Sequence, residues 1–125
     1  MPQEGKLVLV VEDNPENALM AGKMLTSLGY RAEFAANGAA AVEAYEPEKY
    51  VAILMDVVMP MMDGLEATRQ IRELACGSRV PIIALTANVM PGDSERYIAG
   101  GMDDYLNKPF RRDELAAKLA CVAHR

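Results

Sequence analysis

Three apolar runs in this sequence each stop at a residue that can do chemistry, and a fourth, shorter run does the same. Lys6-Leu7-Val8-Leu9-Val10-Val11 stops at Glu12-Asp13, and Val51-Ala52-Ile53-Leu54-Met55 stops at Asp56. Val80 to Leu85 ends at Thr86, and Asp104-Tyr105-Leu106 runs out near Asn107-Lys108-Pro109. Gathered in one place, these residues would be three carboxylates, a hydroxyl and an ammonium. Clustered carboxylates repel and raise one another's pKa. A divalent cation removes the conflict, and an all-oxygen carboxylate set with room for water suits Mg²⁺, or Mn²⁺ in its place, rather than Zn²⁺. Asp13 and Asp56 are the expected direct ligands, Glu12 acts through a water, and the backbone carbonyl of Val58 completes the protein's share. Each residue alone has a plainer use. An acid after a strand caps or suits the dipole of the next helix, Thr86 caps a turn, and Lys108 is a solvated charge. Their common placement at run ends is what argues for a site.

That placement requires a particular scaffold. The β-branched run from Lys6 to Val11 reads as a strand buried on both faces. Asn14 follows as an N-cap with Pro15 in the first turn, and the helix runs to about Leu28, stopped by Gly29. The cycle repeats: strand at Arg31 to Ala35, helix from Asn37-Gly38 through Tyr45, strand at Val51 to Met55. A loop marked by Met59-Pro60 and Asp63-Gly64 leads to a helix from Leu65 to Leu74. Then come strand Val80 to Leu85, helix Pro91 to Ala99 stopped by Gly100-Gly101, and the short strand at Asp104. Asp113 is expected to cap a last helix through about Ala123. Five alternating strands and helices predict an α/β fold, a parallel (βα)5 sheet covered on both faces with right-handed crossovers and the flavodoxin-like order 2-1-3-4-5. The functional crevice of such a sheet lies beyond the carboxyl ends of its strands.

Length and composition agree. The 125 residues suit a single domain over 1–125 with a core of about 6–123, and 51% hydrophobic with 25% charged residues is globular composition. No apolar stretch reaches the roughly 20 residues of a membrane span, and the polar start shows no secretory segment, so a cytoplasmic address is expected. Cys76 and Cys121 lack metal-ligand spacing and read as reduced thiols. His124, next to the C-terminus, reads as a solvated tail residue. The net charge of −5 argues against direct nucleic-acid binding.

The chain resembles the receiver domains of two-component response regulators over essentially its whole length. The resemblance is carried by Val10-Val11-Glu12-Asp13-Asn14, Leu54-Met55-Asp56-Val57-Val58-Met59-Pro60 with Met62-Asp63-Gly64, Ala84-Leu85-Thr86-Ala87, and Tyr105-Leu106-Asn107-Lys108-Pro109-Phe110. It implies a phosphorelay switch rather than a turnover enzyme. Asp56 would be the nucleophile that becomes an aspartyl phosphate, Glu12 and Asp13 would hold Mg²⁺, and Lys108 would pair with Asp56 at rest and with phosphoryl oxygens afterwards. Thr86 would bond the phosphoryl group, and Tyr105 would be the aromatic switch that turns inward as Thr86 moves. Lys108-Pro109 would be a cis peptide, and Val58 and Asn88 would modulate hydrolysis. The donor would be the phosphohistidine of a histidine kinase or histidine phosphotransfer domain. The readout surface would be the fourth helix, fifth strand and fifth helix. The wording of the motifs is closer to receivers fused to hybrid sensor histidine kinases.

The first helix carries two apolar stripes. Met20, Ala21, Met24 and Leu28 are expected to pack on the sheet. Pro15, Ala18, Leu19 and Gly22 form a second face, which either packs on the last helix or docks the phosphodonor. Rival functions fit less well. A flavodoxin-like phosphate binder would need a glycine- and hydroxyl-rich loop where Glu12-Asp13-Asn14-Pro15 stands. A dehalogenase-type phosphatase wants an acid two residues after the nucleophile, where this chain has Val58. The remaining alternative is a phosphorylation-independent protein-interaction module on the same fold.

Overall fold

A computed structural model describes residues 6–46, 49–57, 64–74, 80–86, 92–108 and 110–123. Its elements alternate as β1 (Leu7–Val11), α1 (Pro15–Ser27), β2 (Arg31–Ala35), α2 (Gly38–Ala44), β3 (Ala52–Asp56), α3 (Gly64–Leu74), β4 (Ile82–Thr86), α4 (Asp93–Ala99), β5 (Asp104–Asn107) and α5 (Arg112–Ala123). The strands form one parallel sheet in the order β2-β1-β3-β4-β5, the expected arrangement. The three central strands are buried along their whole length, while the edge strands β2 and β5 are partly exposed. This is why the central strands read as unbroken apolar runs: both faces of a parallel sheet are covered, so no alternation with polar residues is needed.

The period of two along each strand divides the core into two halves. Leu9, Ile53, Met55 and Ile82 face one way and meet Ala41, Ala67, Ile71 and Tyr97 of α2, α3 and α4. Val8, Val10, Leu54 and Ile83 face the other way and meet Ala21 and Leu25 of α1 with Leu115 and Leu119 of α5. No helix among the described residues is long and apolar enough to cross a membrane.

Helix starts follow local chemistry. Asn14 Oδ1 accepts from the N–H groups of Glu16 and Asn17 at 2.9 and 3.1 Å, and Pro15 occupies the first turn. Asn37 Oδ1 accepts from Ala40 at 2.8 Å. At α5 the structure corrects the expected cap. Asp113 lies inside the first turn, and Glu114 Oε1 instead reaches back to the N–H of Arg111 at 2.9 Å. That is the glutamate half of a capping box, which needs no Asp at the cap position. Pro91, expected to open the fourth helix, lies outside the described residues, as do Cys76 and His124.

On α1, Ala21, Met24 and Leu28 pack on the sheet as expected, and Met20 does not. Leu25 is fully buried and Met20 is 55% exposed, because the stripe facing the sheet is centred on Ala21 and Leu25 with Met24 and Leu28 beside them. At about 100° per residue, Met20 falls at the margin of that stripe. Gly22, expected on a second face that packs on the last helix or docks the donor, is buried under the ring of Phe34 from β2. Leu19 is exposed, at 57%.

Candidate functional site

The strand ends bring the predicted residues together. β1 and β3 are neighbours with Val11 opposite Met55, so Glu12 and Asp56 emerge side by side one residue later. Thr86 closes β4 and Lys108 follows β5 immediately, its N–H donating to the Thr86 carbonyl at 2.7 Å. Glu12, Asp56 and Thr86 are buried and Asp13 is exposed. Glu12, Asp13 and Asp56 each offer a carboxylate oxygen, and these oxygens all lie within 4.8 Å of one another.

Lys108 is the cation of this group. Its Nζ donates to Glu12 Oε2 at 2.6 Å and to Asp56 Oδ2 at 3.1 Å. The expected contact with Asp56 is present; the contact with Glu12 was not anticipated and is the shorter one. Glu12 Oε1 also accepts from the N–H of Asn14 at 3.3 Å. Burial pushes the Glu12 carboxyl above the ordinary carboxylate range; the hydrogen bond from Lys108 holds it down, and neighbouring Asp56 pushes it up again. Burial pulls the Lys108 ammonium down, but the hydrogen bond to Glu12 and the charge and hydrogen bond of Asp56 outweigh it, and its pKa is raised. Lys108 therefore carries its charge at neutral pH. Among the described residues this one ammonium pairs with two of the three carboxylates, and the surplus is negative.

The donor chemistry fits a hard divalent cation. All three side chains offer oxygen, and the exposed Asp13 leaves the cluster open to water. Val58, whose carbonyl was expected to contribute, lies outside the described residues, as do Asn88 and the Pro109 side of the Lys108-Pro109 bond. Tyr105 is half-buried on β5, next to the Thr86–Asn107 pairing.

Gly64 is the site residue whose packing was not legible in the sequence. Its N–H donates to the Val57 carbonyl at 3.3 Å, and a Cβ on it would stand 2.5 Å from the Asp56 carbonyl oxygen and 2.9 Å from Val57 Cα. α3 thus starts directly against the backbone that carries Asp56. A cleft of about 380 Å³ opens on the other side, lined by Met20, Met24 and Phe110 with Asn17, Glu12 and Lys108 at its polar end.

Comparison with known proteins decides what this arrangement belongs to. A family profile described as "Response regulator receiver domain" matches residues 8–120. The chain belongs to the response regulator receiver domain family. Among curated relatives of this receiver domain, "Two-component system protein A" of Emericella nidulans is 51% identical over 117 residues, covering 91% of this chain and 17% of that protein. The sensor histidine kinase GacS of Pseudomonas protegens is 40% identical over 112 residues, covering 87% of this chain and 12% of that protein. The chain thus spans a small part of the curated relatives it matches. Among solved structures, the receiver domain of the sensor histidine kinase PA1611 from Pseudomonas aeruginosa, with a magnesium ion coordinated in its active site cleft, superposes with a TM-score of 0.87 at 50% identity, covering 97% of this chain and 99% of that one. The chemotaxis protein CheY4 of Vibrio cholerae superposes with a TM-score of 0.87 at 30% identity, covering 94% and 98%. The chain is a receiver domain of a two-component system, a signalling switch.

Proposed function

We propose that this receiver accepts a phosphoryl group from a phosphohistidine donor onto Asp56 in a Mg²⁺-dependent reaction and changes conformation in response. The observation that carries the reading is the charge imbalance at the strand ends: among the described residues, carboxylate oxygens of Glu12, Asp13 and Asp56 lie within 4.8 Å of one another against the one ammonium of Lys108. Glu12, Asp13 and Asp56 would hold the ion, with Val58 as a backbone contributor. When bound, it supplies positive charge opposite the equatorial phosphoryl oxygens, where negative charge gathers in the transition state.

The chain's own residues do the rest. An Asp56 carboxylate oxygen attacks phosphorus, the P–N bond of the donor breaks, and its electron pair stays on the imidazole nitrogen. Lys108 is already within hydrogen-bond distance of Asp56 and passes from the carboxylate to the new phosphoryl oxygens. Its bond to Glu12 keeps the ammonium in place through that exchange. Thr86, buried at the end of β4, donates its hydroxyl to the phosphoryl group. Its movement opens space for Tyr105, which turns inward. Moving such a switch from 1:99 to 99:1 takes roughly 5.5 kcal/mol of differential stabilisation. Several charge-assisted hydrogen bonds at about 1.5–3 kcal/mol each are enough.

A histidine kinase or histidine phosphotransfer domain is the proposed donor, in the cytoplasm, and a downstream protein reads the α4–β5–α5 face. Exposed Leu19 and Met20, with the cleft between Met24 and Phe110 beside Lys108, support donor docking along α1. Leu19→Asp should slow transfer from the donor protein and leave labelling by acetyl phosphate unchanged.

The decisive experiment is phosphorylation by acetyl phosphate read by intact mass, with and without Mg²⁺, on the wild type and Asp56→Asn. A gain of one phosphoryl group that needs Mg²⁺ and vanishes with the substitution is the expected result. No gain from acetyl phosphate or a phosphohistidine donor, together with no Mg²⁺ binding, would overturn the reading in favour of a phosphorylation-independent interaction module.

A further inference from the structure

Tyr105 is held by more than its own packing. It lies on β5, an edge strand of the sheet, half-buried against the core cluster that includes Ile82, Ala84 and Tyr97. The Nζ of Lys118, from α5, stands over its ring at 5.4 Å from the centroid. The same Nζ donates to Asp104 Oδ1 at 2.8 Å, and that oxygen also accepts the backbone N–H of Tyr105 at 2.8 Å. Ring, ammonium, carboxylate and backbone N–H thus close into one small circuit. The Asp104 and Lys118 side chains are 21% and 34% exposed, so the pair is partly withdrawn from water.

Among the described residues there are two other cation–ring contacts, Lys49 over Tyr50 and Arg96 over Tyr97, but both rings are buried, at 5% and 2% exposure. Those cations cover rings the core already fixes. Tyr105 is the half-buried ring of the three, so its cation can influence where it sits.

We infer that Lys118 is a positioning residue for Tyr105, a latch that holds the ring in its half-buried resting place and so sets how readily the switch turns; the inference rests on the reading of Tyr105 as the switch. Asp104 anchors the ammonium to β5 itself. When Tyr105 rotates about its side-chain bonds toward Thr86, the ring leaves and the tethered ammonium stays behind. The inward state therefore forfeits the cation–ring attraction, and the resting state keeps it. A contact of this kind at a partly exposed site is worth a roughly two- to fivefold bias in the ratio of the two ring positions. Phosphorylation must overcome that bias, so the latch raises the threshold of the response without touching the phosphoryl site.

The test is ¹⁹F NMR of the domain labelled with 3-fluorotyrosine, the Tyr105 resonance being assigned by its loss in Tyr105→Phe. Beryllofluoride with Mg²⁺, a phosphoryl mimic, defines the activated end of the scale. If beryllofluoride binds and does not move the Tyr105 resonance, the switch reading itself fails, and the latch with it. If it does move it, Lys118→Met should shift the unliganded resonance along the same line toward the activated position. The inward-to-outward ratio should rise roughly two- to fivefold, and half-saturation should come at a correspondingly lower beryllofluoride concentration. Lys118→Arg, which keeps the cation, should stay near the wild type. An unmoved resonance in Lys118→Met, a shift off that line, or an equal shift in Lys118→Arg would each overturn the latch.

Discussion

Two ion-paired clusters sit at opposite ends of the same sheet, and they are built to different rules. At the amino ends of the strands, Arg72 of α3 donates to Asp103 Oδ2 at 2.9 Å, to the Gly101 carbonyl at 3.0 and 2.7 Å and to the Val80 carbonyl at 2.5 Å. Asp103 also accepts the N–H of Ile82 at 2.9 Å, and its side chain is 2% exposed. Among the described residues one cation meets one anion, and the Gly101 and Val80 carbonyls accept from the same guanidinium. At the carboxyl ends, Lys108 pairs with Glu12 and Asp56, and with Asp13 beside them the described residues carry an excess of negative charge. Among the described residues the first cluster is balanced in charge, and in that sense closed; it bolts α3 to the turn between α4 and β5. The second is open, and its imbalance asks for a further cation. A buried pair in itself says little about function, and the balance of its charges says more.

The largest effect that sharpens this contrast is expected at the closed cluster. Removing one partner of a buried pair leaves the other uncompensated, at about 3–5 kcal/mol. Arg72 is 18% exposed, which places Arg72→Met near the lower end, about 3 kcal/mol by urea unfolding. Phosphorylation of the folded fraction should not change. If the variant kept its stability and lost phosphorylation, the assignment of the two ends would be reversed.

The next effect belongs to the open cluster. A ligand that binds only the folded state at one hundred times its Kd stabilises by about 2.7 kcal/mol. Mg²⁺ should raise the unfolding midpoint of the wild type by that order at such an excess. Asp13→Asn should lose most of the increment, while Arg72→Met should retain it despite its lower baseline. Equal Mg²⁺ increments in wild type and Asp13→Asn would remove the metal from the strand ends.

Much of this layout was legible in the sequence, for reasons that differ by element. The unbroken runs at Leu7–Val11 and Ala52–Met55 announce central parallel strands because burial on both faces leaves no polar positions. The residues just past them form the crevice because strand ends in such a sheet share one edge. Asn14 and Asn37 mark helix starts because their side chains satisfy free N–H groups locally. What stayed hidden depends on contacts far apart in the chain. The bond between Lys108 and Glu12 spans 96 residues, and β5 and β1 are not even neighbours in the sheet. On α1 the expected core face holds at Ala21, Met24 and Leu28 but not at Met20, because Met20 and Met24 offer the same chemistry and only the sheet beneath decides between Met20 and Leu25. The Arg72 clamp went unseen because an arginine near the end of an exposed-looking helix has an ordinary solvated reading.

Gly64 tests how tightly the open end is built. In a helix, alanine is ordinarily preferred to glycine by up to about 1 kcal/mol. Here a Cβ would meet backbone, the Asp56 carbonyl at 2.5 Å and Val57 Cα at 2.9 Å, which cannot swing aside as a side-chain tip can. Gly64→Ala should therefore destabilise by about 2 kcal/mol, the usual scale of overpacking. It should also slow acetyl phosphate labelling, because the displaced backbone carries Asp56. Gly22→Ala is the control: the nearest atoms its Cβ would meet belong to the ring tip of the 53% exposed Phe34, which can move, so both readouts should stay close to wild type. A stabilised Gly64→Ala with normal labelling would show that the start of α3 is free to shift.

The smallest expected effect lies beside the closed cluster. Thr68 of α3 is fully buried, and its hydroxyl has no hydrogen-bond partner among the described residues. Its methyl group packs toward Gly101, where a Cβ would come within 3.2 Å, so Thr68 shares a neighbour with Arg72. A buried hydroxyl without a partner loses its hydration and gains nothing in return, a cost of about 1–3 kcal/mol that an apolar group of the same shape avoids. Thr68→Val keeps the branched shape and the contact with Gly101. It should raise stability by about 1 kcal/mol and leave Mg²⁺ binding and phosphorylation untouched. At the open end, by contrast, replacing Thr86 by Val removes a hydroxyl of similar burial and should impair the phosphorylated state. If Thr68→Val instead lowered stability or altered labelling, the hydroxyl would have a role in the native state, and the closed end would not be the purely structural counterpart of the strand-end site.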